Sequence, residues 1–231
     1  MKEKDRGVTA IVPAYNEEKR IEKILNCLRK SKLIDEIIVV DDGSTDDTKK
    51  VIKKFKEVRY YKNKKNKGKG FSMDKGVRKS KTEIIFFCDA DLVELTPQIV
   101  DDIIMPVKQC KVKMSIGARN KILLRIYEKL NLKIAISCIS GERALEKEIW
   151  NFLPDFYKKG FRIETGLNYL VGKFLGGFEQ KVFTHGQTIK EKKYPFHIAI
   201  KKRMETDLGV ILAVIRFYFY DFFKYGKRFR D

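Results

Sequence analysis

Residues 36–47 read EIIVVDDGSTDD, and the join in the middle decides how the rest of the chain is read. Four β-branched residues in a row, Ile37 to Val40, mark a buried strand. The aspartates, glycine and hydroxyls that follow mark a tight turn and the start of a helix, with Ser44 or Thr45 at its N-cap and Val51, Ile52 and Phe55 facing inward. By itself this is a strand, a turn and a cap. Upstream, VTAIVP (8–13) is a second β-rich run, after which Ile21, Ile24, Leu25 and Leu28 recur at helical spacing through residues 17–31. Downstream, VRYYK (58–62) predicts a strand, KGFSMDKGVRKS (69–80) a short helix and EIIFFCD (83–89) a further strand. Such alternation predicts an α/β fold, a mainly parallel sheet covered by helices on both faces. Ligands in such sheets bind at the carboxyl ends of the strands. Those ends carry PAYNEE, DDGSTDD and DAD.

The second half is less regular. KMSIGAR (113–119) predicts a strand, residues 121–137 a helix, and SGERALEKEIWNFL (140–153) a loop entering a helix that begins near Arg143. Residues 160–175 predict another helix and FEQKVFTH (178–185) a strand. Without repeats or a linker, the simplest division is one domain over 1–203 and a C-terminal helix over 204–231.

With 50 Lys and Arg against 31 Asp and Glu, the net charge is +19, which implies an anionic partner without saying which. Cys27, Cys88, Cys110 and Cys138 show no metal-site or redox spacing and read as reduced core cysteines of a cytoplasmic protein. The charged opening MKEKDR does not have the form of a signal peptide.

Taken in order, each at a strand end, VTAIVPAYNEE, IIVVDDGSTDDT, NKGKG and IIFFCDAD resemble the nucleotide-sugar-binding half of family-two-type glycosyltransferases of the GT-A fold. Among these, the polyprenyl-phosphate sugar transferases and the glucosyl-3-phosphoglycerate synthases are the most similar. The resemblance covers about residues 7–120 and leaves 121–203 as an acceptor half. It implies that Pro13, Ala14, Tyr15 and Glu17 line the nucleoside site and that Asp42 contacts the base. It also implies that Lys69 approaches the nucleotide, that Asp89 and Ala90 lie by the ribose, and that Asp91 binds Mg²⁺ or Mn²⁺. The metal follows a physical logic of its own. A nucleoside diphosphate gains charge as it leaves, and a hard cation held by a carboxylate neutralises it.

In related enzymes a late histidine completes the metal site, a role the resemblance offers to His185 beside the alternative of a surface histidine; His197 reads as structural. Arg119, Gly141 and Arg143 stand where relatives place acceptor-facing segments, and either arginine suits bidentate phosphate binding, although Arg143 also reads as a surface charge. Glu164 of RIETG is the candidate carboxylate toward the acceptor: a base for a hydroxyl, or an orienting group for a phosphate.

In the C-terminal stretch, Arg216 and Asp221 interrupt the apolar run, which argues against a spanning helix. Wound at helical pitch, Arg216, Asp221, Lys224 and Lys227 share one arc and apolar side chains fill the rest. An interfacial helix on an anionic membrane, peripheral on the inner face, and a helix packed on the domain or in a homodimer are the two readings. The sequence therefore predicts transfer from a UDP- or GDP-sugar to a lipid-phosphate acceptor or to a small phosphorylated one. A nucleic-acid-binding module is disfavoured, because the lysines of 62–81 are not interleaved with aromatics and the carboxylates would repel a phosphate backbone.

Overall fold

The computed structural model describes residues 6–92, 94–119, 140–160, 162–183, 208–209, 211–221 and 224. The predicted helix at 121–137, both histidines, and the basic runs 201–203 and 227–230 lie outside the described residues.

Seven strands form one sheet in the order β3-β2-β1-β4-β6-β5-β7. They are β1 (Val8–Ala14), β2 (Glu36–Asp41), β3 (Arg59–Lys62), β4 (Ile84–Phe87), β5 (Met114–Arg119), β6 (Arg143–Glu146) and β7 (Glu179–Phe183). β1 pairs in parallel with β2 and β4, β2 with β3, and β5 with β7, whereas β6 runs antiparallel to both β4 and β5. The helices are α1 (Ile21–Leu28), α2 (Thr48–Ile52), α3 (Lys69–Lys79), α4 (Pro97–Lys108), α5 (Lys147–Phe152) and α6 (Arg162–Phe174).

Strand alternation builds two cores. Ala10, Val12, Ile37, Val39, Ile84 and Phe86 meet residues of α1 and α4 on one face. Ile11, Ile38, Val40, Ile85 and Phe87 meet α3, α5 and α6 on the other. Burial on both faces explains why these strands read as unbroken apolar runs. The chain leaves β3 and returns to the far side of β1 for β4, so the strand order reverses beside β1, and ligand crevices form at such reversals.

Several sequence expectations change here. Segment 140–153 is no loop leading into a helix at Arg143: Arg143 opens strand β6, and the helix starts at Lys147. Arg143 is a buried cation, 1% exposed, and no surface charge. The N-cap position of α2 is Asp47 rather than Ser44 or Thr45, because the Ser44 hydroxyl is engaged with Asn16. Helix α4, to which the sequence reading assigns no element, carries clear signals: Thr96 caps it, accepting from the Ile99 amide at 3.3 Å, and Pro97 opens it. Cys27 and Cys88 are free and buried as expected, but Cys110 is exposed after α4.

The C-terminal segment is helical at 211–216 and widens into a π turn at Phe217–Asp221. The wider turn resets the phase of the helix, so Asp221 does not lie on a solvated arc with Arg216. It is 2% exposed and accepts from the Tyr157 hydroxyl at 2.6 Å and from Arg216 Nε at 3.3 Å. Ala213 and Phe217 also face inward, the latter stacked on Tyr169 of α6 at 4.3 Å.

Candidate active site

The loops after β1 and β2 are sewn together by short polar side chains. The Asn16 amide donates to Ser44 Oγ (3.0 Å) and Asn16 Oδ1 accepts from the Thr45 amide (3.0 Å), with Asn16 at φ 55°. The Glu17 amide donates to Thr48 Oγ1 at 2.8 Å, and Asp46 accepts from both the amide and the hydroxyl of Thr48. Burial opposes it, but the hydrogen bond from the Thr48 hydroxyl and then the backbone amides of the turn lower the Asp46 pKa. Pro13 and Ala14 end β1, Ala14 is buried, and Tyr15 stands 44% exposed at the rim. Glu17 is not open to this rim: it is buried and its Oε2 accepts from Arg20 Nε at 2.5 Å.

The aspartates at the end of β2, Asp41 in the strand and Asp42 just after it, are both buried. Asp41 accepts from the Ser44 amide (2.7 Å) and from the Tyr60 hydroxyl (2.6 Å), and burial together with that bond pushes the Tyr60 phenol above its usual pKa. Asp42 accepts from Asn63 Nδ2 (2.8 Å), the Lys67 amide (3.0 Å) and the Gly68 amide (2.7 Å). Lys62, which the sequence groups with solvated loop lysines, donates to the Ser44 carbonyl at 3.0 Å.

Four segments far apart in sequence meet at the end of β4. Lys69, the first residue of α3, places its ammonium 2.8 Å from Asp89 Oδ1 and 3.3 Å from Glu164 Oε1. Burial works against the charged lysine, but the two carboxylates outweigh it and hold its pKa above the ordinary value. Glu164, in the first turn of α6, is 3% exposed, and its Oε2 has no hydrogen-bond partner among the described residues. A buried carboxylate oxygen left so is costly. On the far side of Asp89 stands Gly141, where a Cβ would come 2.1 Å from Asp89 Oδ2. Its segment is held by Arg143, whose Nη2 donates to the Ser140 carbonyl at 2.8 Å and whose Nη1 reaches Asn168 of α6 at 3.4 Å.

Asp91, in the turn after β4, is half-buried, and Ala90 between the aspartates is buried. No set of three His, Cys, Asp or Glu side chains converges among the described residues. The donors at this edge are carboxylate oxygens in an open arrangement. That suits a hard divalent cation whose remaining ligands come from phosphate and water, rather than a closed protein cage. Arg119 ends β5, and nothing is described of its side chain.

Of the residues singled out in the sequence, the structure thus brings Lys69, Asp89, Gly141 and Glu164 together, with Asp91 adjacent, and sets Asp42 and Arg143 one layer behind them. Asn63, Tyr60 and Asn168 are supporting residues that sequence reasoning missed. Asn63 carried one usable signal, an amide side chain opening the lysine run NKKNKGKG.

A seven-stranded mixed sheet with its carboxylates at the β1–β4 reversal defines the GT-A class. The glycosyl transferase family 2 model matches residues 9–183, and the chain belongs to that family. It is 38% identical over 109 residues to the dolichyl-phosphate beta-glucosyltransferase of Mus musculus, covering 41% of this chain and 34% of that one. It is 32% identical over 136 residues to the UDP-N-acetylglucosamine--dolichyl-phosphate N-acetylglucosaminyltransferase of Methanococcus voltae, covering 51% and 53%. The matches thus span about a third to a half of these relatives. Among solved structures, glucosyl-3-phosphoglycerate synthase from Mycobacterium tuberculosis, in complex with Mn²⁺, UDP-glucose and glycerol 3-phosphate, superposes with a TM-score of 0.75 at 21% identity, over 90% of this chain and 80% of that one. At that identity the likeness speaks for the GT-A fold.

Proposed function

We propose that this chain is a divalent-metal-dependent glycosyltransferase that moves a sugar from a nucleotide-sugar donor, UDP- or GDP-linked, to a polyprenyl phosphate or another membrane-associated anion. The observation that carries the reading is the meeting of Lys69, Asp89 and Glu164 beside Asp91 at the carboxyl edge of the sheet. The nucleoside would lie over Ala14 and Tyr15 with its ribose toward Asp89. Asp91 would hold Mg²⁺ or Mn²⁺, with His185 a further ligand candidate. The cation supplies neutralising charge to the departing diphosphate when bound. Lys69, kept protonated by its two carboxylates, adds a fixed positive charge to the same leaving group as the sugar–phosphate bond breaks. The buried Oε2 of Glu164 accepts a hydrogen bond from a hydroxyl in the site, taking its proton if the acceptor is an alcohol and only orienting it if the acceptor is a phosphate. Arg119 is the candidate for the acceptor's phosphate.

The membrane part rests on the C-terminal helix. With Ala213, Phe217 and Asp221 turned inward, Leu208, Ile211, Ile215 and Phe219 are left outside, Phe219 at 81% exposure. No described helix is long and apolar enough to cross a membrane. An exposed apolar stripe on a chain of net charge +19 suits the surface of an anionic bilayer, and the two dolichyl-phosphate relatives suit a lipid-borne acceptor. On this reading the protein works at the cytoplasmic face of the membrane. A small phosphorylated acceptor is the second reading, favoured by the fold likeness to glucosyl-3-phosphoglycerate synthase.

The test is a thermal-shift and transfer panel of nucleoside diphosphates and nucleotide sugars, with and without Mn²⁺, offering polyprenyl phosphate in vesicles and 3-phosphoglycerate in solution. Stabilisation by a UDP- or GDP-sugar in the presence of Mn²⁺ and transfer to the vesicle acceptor support the proposal. Absence of any nucleotide shift under every metal condition overturns it, and transfer to the soluble acceptor alone establishes the second reading.

A further inference from the structure

Asp42 is a buried carboxylate with no cation beside it among the described residues; its three donors all come from the loop that follows β3. One oxygen accepts from Asn63 Nδ2 and the Lys67 amide, the other from the Gly68 amide. Asn63 is itself pinned, its Nδ2 at 3.0 Å from Ser72 Oγ and its Oδ1 accepting from Lys75 Nζ at 2.9 Å. Gly68 is the N-cap of α3, with φ 90° and no side chain to cap the helix. Asp42 thus accepts the amides of Lys67 and of the N-cap residue itself, rather than the first-turn amides that a capping side chain takes, and its charge suits the positive end of the helix. The next residue is Lys69, whose ammonium bridges Asp89 and Glu164.

We infer that Asp42 is a positioning residue: it clasps the 63–68 loop up to the N-cap of α3, and so sets where Lys69, the next residue, stands against Asp89 and Glu164. The inference builds on the donor-site reading above and adds to it a specific cause for the lysine's placement. Ordering a loop of this kind costs backbone entropy, and three hydrogen bonds to one buried charge counter that cost locally. Asp41, its neighbour, is also buried, but its carboxylate bonds the Ser44 amide and the Tyr60 hydroxyl and lies 3.8 Å from Lys62 Nζ, and it meets the 63–68 loop only through its backbone carbonyl, which a side-chain substitution leaves in place; that makes it the internal control.

The test compares Asp42→Asn with Asp41→Asn in the full chain. An amide nitrogen in place of either Asp42 oxygen sets N–H against N–H, at Gly68 or at Lys67 and Asn63, without changing volume. First, hydrogen exchange at the Lys67 and Gly68 amides and the rate of amine acylation at Lys69 are measured with no nucleotide present. Both are expected to rise about tenfold, the equivalent of one lost hydrogen bond, in Asp42→Asn and to stay at the wild-type values in Asp41→Asn. Second, uridine diphosphate affinity with Mn²⁺ is measured for Asp42→Asn, Lys69→Ala and the double variant. The double variant is expected to bind no more weakly than Lys69→Ala alone. Unchanged Lys69 acylation in Asp42→Asn, or strictly additive losses in the cycle, overturns the inference. If the wild type binds no nucleotide, the donor-site reading fails, and the acylation arm still decides whether Asp42 positions Lys69.

Discussion

The carboxyl edge of β1–β4 and the C-terminal helix solve opposite problems. At the sheet edge nearly every polar side chain has a partner supplied by another loop: Asn16 with Ser44 and Thr45, Asp42 with 63–68, Lys69 with Asp89 and Glu164. Among its described residues the C-terminal helix has a buried polar anchor, Asp221 on Tyr157, and leaves most of its apolar side chains outside. The first arrangement holds atoms to the tolerance that transfer chemistry requires. The second holds only an orientation, which is what a surface needs to present a stripe. Rigidity is concentrated where charge must be placed.

Substitutions should separate the two regions, and the largest effect belongs to the edge. Asp91→Ala is expected to lower transfer activity about a thousandfold and remove its dependence on Mn²⁺; metal dependence that survives in that variant takes Asp91 out of the metal site. Gly141→Ala sets a methyl within 2.1 Å of the Asp89 carboxylate. Displacing that group by about an ångström should cost about a hundredfold in kcat/KM, while the backbone at 141, which is not left-handed, lets the melting temperature hold. A matching loss of Tm would instead make Gly141 a folding residue.

On the helix the prediction reverses. Ile215→Ser and Phe219→Ser should each weaken binding to anionic vesicles about tenfold, as the loss of one exposed apolar contact implies, and leave nucleotide binding at the wild-type level. If vesicle binding is unmoved, the stripe has another occupant, and sedimentation would show whether it is a second copy of the chain. Tyr157→Phe removes the donor to buried Asp221 and should destabilise by about 1–3 kcal/mol, read as a lowered Tm. The smallest effect is chemical. Burial first, and Asp101 next, push the Cys27 thiol up to about 11, so at pH 8 it holds little thiolate and a thiol reagent should modify exposed Cys110 well before it.

The donor half of the fold was legible because its signals are local. Ile37 to Val40 and Ile84 to Phe87 are buried on both faces, so they read as strands without reference to anything else, and the Asp, Gly and Ser that follow sit where strands must end. Segment 140–146 was not legible: an Arg heading a four-residue strand looks like a helix start until the backbone of β4 and β5 is present to pair with it. Asp221 was misplaced for a related reason. Helical projection assumes one pitch, and a π turn breaks the assumption where Tyr157 and Tyr169 draw the chain inward.

By itself the sequence determined the strand–helix alternation, the polar strand ends and hence the GT-A class, since period and turn chemistry act over a few residues. Only the tertiary structure decided that Lys69 meets Glu164 across 95 positions, that Gly141 walls Asp89, and that Asp42 faces the 63–68 loop. Those meetings depend on how the sheet brings distant loops to one edge, and no local pattern encodes the distance between two such loops.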